Sequence, residues 1–156
     1  MDVNGFKGPN SEARNGKQYD IRSFKVARFS KGCAGNEIKG VGCVYQLPSF
    51  SPLDTTKEEN KKYDSKTAIS NNYWAGAKKA CDDIGMSLPD RSKLESLARK
   101  TTAEKEQLGL PTDGGFWSSS ENTRYDYDAY YVYFDDGSIY SYYKYYSKEK
   151  ALCIGD

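Results

Sequence analysis

The chain has 156 residues, Lys+Arg 23 against Asp+Glu 22, a net charge of +1, and no histidine. That length suits one domain with a core of its own, and 14% aromatic residues set it apart from disordered chains. The balanced charge supplies no field to recruit nucleic acid or an anionic membrane, and the missing imidazole removes the commonest general base, the commonest transition-metal ligand and every Ser–His or Cys–His nucleophile pair. No apolar run reaches the length of a membrane span. Met1 directly before Asp2 reads as an added start, so a native membrane anchor is expected to be missing.

In the first 32 residues, Asn4-Gly5 and Gly8-Pro9-Asn10 are turn signals, and Ile21, Phe24, Val26 and Phe29 predict one or two short strands. A Gly-rich stretch follows and ends in the strand-like "GCVYQL". Residues 51–70 read as an exposed polar loop with a helical turn. "NNYWAGAKKACDDIG" is a helix: Tyr73, Ala77, Ala80, Cys81 and Ile84 recur at helical spacing, and Gly85 stands where a C-terminal cap belongs. "LPDRSKLESLARK" is a second helix, with Asp90 as N-cap and Leu94, Leu97 and Ala98 inward. Thr101 and Glu104 have capping-box spacing for one further short turn. After "GLPTDGG" the period becomes two. "AYYVYF" places Tyr130, Val132 and Phe134 on one face and Ala129, Tyr131 and Tyr133 on the other. Asp136-Gly137 signals a hairpin into "SIYSYY", and "ALCIGD" is a last strand. The expected class is α+β: two helices packed on a small antiparallel sheet with long loops.

The cysteines are Cys33, Cys43, Cys81 and Cys153, with no CxxC spacing to indicate a zinc ribbon or a thioredoxin-type site. Three disulfide pairings are open, as is a set of four buried thiols. We favour Cys33–Cys43 closing a local loop and Cys81–Cys153 joining the first helix to the last strand. Two disulfides would place the chain outside the reducing cytosol.

Between Tyr125 and Ser147, ten of 23 residues are tyrosine, out of 14 in the chain. Tyrosine offers a large amphipathic area with only two torsions to freeze, and small Asp, Ser and Gly neighbours add hydrogen bonding and room. A ligand-binding face is therefore assigned to Asn122, Arg124, Tyr125, Tyr127, Tyr131, Tyr133, Asp135, Asp136, Ser138, Tyr140, Tyr142, Tyr143, Tyr145 and Tyr146. The competing reading is a sheet whose rings pack on one another. It accounts for Tyr130, and poorly for the adjacent pairs Tyr142-Tyr143 and Tyr145-Tyr146. Trp74 is read as a core anchor, and Trp117 as a core anchor with a ligand platform as its alternative. Asp126, Asp128, Asp135 and Asp136 invite a carboxylate-pair enzyme, but paired Asp in a turn is ordinary solvated turn chemistry. No catalytic residue, metal or cofactor is assigned; Asp2-Val3-Asn4-Gly5 has too few carboxylates nearby for calcium.

The order of a Trp-containing helix ending in Cys81, then "MSLPDRSKLESL", "GGFWSSSEN", "AYYVYFDDGSI" and "ALCIGD" resembles the C-type lectin fold of variable proteins from diversity-generating retroelements. The likeness covers residues 70–156. It implies that adenines in a C-terminal region are rewritten, chiefly in AAY codons, giving Tyr, Asp, Ser, Asn, Arg, Gly and Thr but never Lys, Glu, Gln, Met or Trp. Trp117, Glu121, Lys144, Lys148, Glu149 and Lys150 would then be fixed scaffold. "DVNGFKGPN" and "YDIRSF", within residues 1–69, are similar to bacterial type IV pilin-like proteins. Together the resemblances imply a single domain on a bacterial surface or pilus, displaying a diversified face to a protein or glycan partner on another cell or a phage, with pilus subunits as further partners. The alternative they leave is a structural pilin or pseudopilin without a diversified site. The calcium-dependent sugar motifs EPN, QPD and WND are absent, "LPD" at 88–90 being the nearest.

Overall fold

In the computed structural model, residues 28–29, 32–33 and 35–155 are described, and the chain divides into two units. The first comprises Met1–Ala34 and Asp83–Gly85. Its described strands, β1 (Arg28–Phe29) and β2 (Gly32–Cys33), pair antiparallel with Arg28 opposite Cys33. The expectations for Asn4-Gly5, Gly8-Pro9-Asn10, Ile21, Phe24 and Val26, and the pilin-like segments, lie outside the described residues.

The second unit, Gly35–Asp82 with Met86–Asp156, is α+β. One three-stranded antiparallel sheet has the order β3 (Asn36–Ile38), β4 (Gly42–Gln46), β8 (Leu152–Gly155). Its register sets Val44 opposite Ile154 and Gln46 opposite Leu152, so residues well ahead of α1 share a sheet with β8. The other sheet runs β5 (Gly115–Glu121), β6 (Asp128–Tyr133), β7 (Ile139–Tyr143), with β6 central.

Among the described residues three α-helices form where two and a turn are expected. α1 (Tyr73–Asp83) begins because the buried Asn72 side chain accepts from the Ala75 N–H at 2.9 Å. Its buried stripe is Trp74, Ala75, Ala77 and Cys81, with Tyr73, Ala80 and Ile84 only half-buried. Gly76 lets it close on the preceding loop, since a Cβ there would lie 2.1 Å from the Ser51 carbonyl oxygen. α2 (Arg91–Ala98) is capped by Asp90, which accepts from the Lys93 N–H at 2.8 Å, and it buries Leu94, Leu97 and Ala98. α3 (Thr102–Leu108) is a full helix because both ends are closed, by the Thr101/Glu104 capping box and by Gly109 at φ 74°. Lys105 fastens it inward: its buried ammonium donates to the carbonyls of Ala98, at 2.9 Å, and Phe134.

The main core gathers Ile38, Val44 and Leu152 from the first sheet, Leu94 and Leu97 from α2, Phe116 and Val132 from the second sheet, and Phe134 just past β6. Cys81 and Cys153 are bonded with Cα atoms 5.5 Å apart, and Cys33 and Cys43 are also in disulfide form. The loop at 51–70 departs from expectation. It has a 3-10 turn at Glu58–Asn60, but Thr55, Asp64, Thr67 and Ile69 are buried. Its polar groups satisfy one another: Thr55 Oγ1 bridges Ile69, and Asp64 accepts from Thr67 and Asn72.

The "FWSSSEN" run shows how one strand serves both sides of the molecule. Phe116 enters the core, while Trp117 lies on the opposite face, fully buried. The register shifts between Trp117 and Glu121, and the serines absorb the irregularity. Ser118 Oγ donates to the Tyr130 carbonyl at 2.8 Å, and Ser120 Oγ accepts from the Arg91 N–H at 3.1 Å, helping to start α2.

Candidate ligand-binding face

The face of the second sheet turned away from the core carries a row of rings. Register places Trp117, Tyr131 and Tyr140 side by side across the three strands, Gly115 beside Tyr133, and Ala129 beside Tyr142. Tyr131 is the hub. Its ring centroid lies 5.8 Å from Trp117, 5.4 Å from Tyr133 and 6.2 Å from Tyr140, and Tyr133 and Tyr140 meet edge to face at 5.6 Å. A second group follows where β7 ends. A turn closed by the Tyr146 N–H on the Tyr143 carbonyl (3.0 Å) wraps the chain around the sheet edge. Tyr143 and Tyr145 stack at 5.1 Å, and Tyr142 meets Tyr143 at 5.0 Å and Tyr146 at 4.6 Å.

Six of these tyrosines face solvent: Tyr125, Tyr127, Tyr140, Tyr142, Tyr143 and Tyr145 are 42–58% exposed. Two of the expected outward residues do not. Tyr131 is only 8% exposed because Trp117, Tyr133 and Tyr140 enclose it, and burial raises its phenol pKa well above the usual tyrosine range. Asn122 is also buried and makes the turn, donating to Ser141 Oγ at 3.1 Å and accepting from the Arg124 N–H at 2.9 Å. Tyr133 and Tyr146 are half-buried, and Arg124 is exposed. Tyr130, expected in the core, is half-buried with the Arg91 guanidinium 4.1 Å above its ring. Trp74 and Trp117 are both buried, as read.

Asp135, Asp136 and Ser138 form the β6–β7 hairpin tip. Asp135 accepts from the Gly114 N–H at 3.0 Å. Asp136 accepts from the Ser138 hydroxyl (2.6 Å) and N–H (2.9 Å), and these bonds hold its pKa below the ordinary carboxylate value. Gly137 completes the turn at φ 81°. Among the described residues, no group of three or more His, Cys, Asp or Glu is placed to hold a metal.

Beneath the tyrosines is an ionic pivot that the sequence does not announce. Lys144, in the middle of the Tyr run, is fully buried. Its ammonium lies 2.9 Å from Glu121, 3.1 Å from Asp64 and 4.5 Å from the Trp74 ring centroid. Its N–H donates to the Tyr127 carbonyl at 2.8 Å, and its own carbonyl accepts from the Tyr73 and Trp74 N–H groups opening α1. Trp74 is held from its other end, donating its indole N–H to the Ser118 carbonyl at 2.7 Å. Burial opposes ionisation of Asp64, but hydrogen bonds from Thr67 and Asn72 and the Lys144 charge outweigh it and lower its pKa. No local signal marks Asp64 as a partner for a lysine so far along the chain. Lys144 is visible in the sequence only as one of the residues that the AAY scheme cannot produce.

The second unit is an α+β frame with a cluster of phenols turned outward. Residues 15–154 match a family described as an adhesion domain (InvE_AD), and the chain belongs to that family. No curated protein matches it. Adhesion is binding work, which agrees with a non-catalytic role, and disulfide-bonded cysteines agree with an extracellular or surface protein. Among the described residues no helix is long and apolar enough to cross a membrane.

Proposed function

We propose that this adhesion domain grips a protein or glycan partner through Tyr125, Tyr127, Tyr140, Tyr142, Tyr143 and Tyr145, on a lectin-like frame whose outward positions have been diversified by a retroelement. The observation that carries the reading is a partition. Those six rings, all of a type the AAY scheme produces, are the large apolar side chains left exposed among the described residues. Trp117, Lys144 and Glu149, which the scheme cannot produce, are buried, and Glu121 is ion-paired to Lys144. Lys148 and Lys150 are exposed and do not follow the partition. Asn122 and Tyr131 serve as support for the contact surface.

In this reading the lectin-like region is residues 70–156 with β3 and β4 added to its sheet, and the N-terminal segment links it to a bacterial surface or pilus. A structural pilin subunit would instead need an unvarying surface. The test has two arms. A panel of glycans and surface proteins is probed with the parent chain and with the triple variant Tyr140→Ala, Tyr142→Ala, Tyr145→Ala; binding should vanish in the variant, and a partner held equally by both overturns the reading. Sequencing around the gene should reveal a near-copy of codons 117–156 that differs where the copy has adenine, beside a reverse transcriptase. Its absence removes the retroelement.

A further inference from the structure

Lys144, Asp64 and Glu121 meet in a geometry that suits a reaction as well as an ion pair. The Lys144 and Asp64 side chains are both 0% exposed, and the lysine nitrogen lies 3.1 Å from Asp64 Oδ2, one bond from the carboxyl carbon. Glu121 Oε2 lies 2.9 Å from the same nitrogen. Condensation to an amide needs three groups, a nucleophilic amine, a carboxyl to attack and a base beside them. Groups held at this separation with water excluded lose little further entropy on reacting.

The other contacts of Asp64 fit the parts. Its Oδ1 accepts from the backbone N–H groups of Lys66 at 3.1 Å and Thr67 at 3.3 Å, two donors placed for the oxyanion of a tetrahedral intermediate. Its Oδ2, the leaving oxygen, accepts from the Thr67 hydroxyl and from Asn72 Nδ2 at 2.9 Å. The Glu121 side chain is 26% exposed, with the Lys66 ammonium 3.8 Å from its other oxygen, so it joins the buried pair to solvent. The Trp74 ring, its centroid 4.5 Å from the Lys144 nitrogen, adds an apolar wall. Lys78, which feels the Glu121 and Asp64 charges, donates instead to the Tyr63 carbonyl at 2.8 Å.

We propose that Lys144 and Asp64 condense to an intramolecular amide cross-link, with Glu121 moving a proton. The ion pair already holds every proton the step needs. The ammonium gives one to Asp64 Oδ2, leaving a neutral amine and a neutral acid, a form free of the desolvation cost of two buried charges. The Lys144 nitrogen then bonds to the Asp64 carboxyl carbon. Glu121 takes a proton from that nitrogen and passes it to Oδ2, and the bond from carbon to Oδ2 breaks to release water. One proton stays on the amide, two leave with the water, Glu121 ends as the carboxylate it began as, and nothing is oxidised or reduced. Hydrogen bonds hold the resting Asp64 ionised, so the neutral pair is scarce and the step is slower than folding. Freshly folded protein therefore carries the ion pair, and aged protein carries the bond. The product ties the 51–70 loop to the tyrosine loop, whatever the tyrosines bind.

The folded chain is aged at neutral pH, weighed intact by mass spectrometry, then digested and mapped. A species lighter by one water should accumulate, with a branched peptide joining Asp64 to Lys144, and chain kept in denaturant should not form it. Glu121→Gln should slow the loss about 100-fold. Asp64 precedes Ser65, and a backbone succinimide at that bond would also release one water. It would give a linear peptide and persist in Lys144→Arg, so a loss that survives in that variant overturns the proposal, as does an aged parent of unchanged mass. Should either variant fail to fold, the peptide map of the parent decides alone.

Discussion

The ammonium of Lys144 and the carboxylate of Asp64 lie 3.1 Å apart with both side chains shut off from solvent, although 79 positions separate them in sequence. Such a pair contributes little beyond its desolvation cost when intact and a great deal when broken, because the survivor is left buried and charged. Lys144→Met strands the buried Asp64, while Glu121 keeps Lys66 at 3.8 Å, and should cost about 3–5 kcal/mol in urea denaturation. The double variant Lys144→Met, Asp64→Asn should recover part of that loss, giving a coupling term well above that of independent sites.

The same carboxylate sets an acid limit. Asp64 titrates below its ordinary value of 3.8 in the folded chain, so its stabilisation is complete above that pH and is lost as pH falls through the lowered folded value. Acid melts of the parent and of Asp64→Asn should converge in this range. Parallel curves would remove Asp64 from the account.

Glu149 acts in the opposite sense. Its pKa rises from 4.5 to about 7 on folding, so the neutral form is the one the fold prefers. Its contribution is full below pH 4.5, declines as pH rises toward 7 and is then flat. Glu149→Gln should match the parent at pH 4 and exceed it at pH 8 by on the order of 2 kcal/mol. Melting temperatures measured across that range check the sign.

The buried and exposed tyrosines should separate cleanly. Tyr131→Ala opens a void between Trp117 and Tyr140 and should cost about 3 kcal/mol. Tyr140→Ala or Tyr145→Ala, at half-open surface positions, should each stay within about 0.5 kcal/mol while weakening adhesion. Thermal melts of the three single variants are enough to see the contrast.

The Cys81–Cys153 bond closes 72 residues, and replacing both cysteines by alanine should cost about 4 kcal/mol in the chain-entropy account. Alkylation of the undenatured protein without reductant should label no cysteine among the four.

Features governed by neighbouring residues were legible before any coordinates. Asp90 caps α2, Thr101 and Glu104 close their box, and Asp136-Gly137 turns the hairpin, because each depends on a few adjacent backbone groups. Alternation also sorted Val132 and Phe134 from Tyr131 and Tyr133 correctly. What alternation does not say is what covers each face. Tyr131 is enclosed by rings from two other strands, and Tyr130 is left half-open under Arg91, so the two exchanged their expected surroundings. Buried cations such as Lys105 and Lys144 were hidden for a related reason: the Phe134 carbonyl and the Asp64 carboxylate that accept from them are brought from remote segments.

The hold on the tyrosine loop at Lys144 is made largely by peptide groups, its N–H on Tyr127 and its carbonyl on the first residues of α1. Peptide groups are the same whatever side chain hangs beside them. Positions on either side can therefore be shuffled without redirecting the path of the chain, as a combinatorial library on this scaffold would require. The pivot thus fixes the course of the loop, and what the surface presents is left to the side chains beside it.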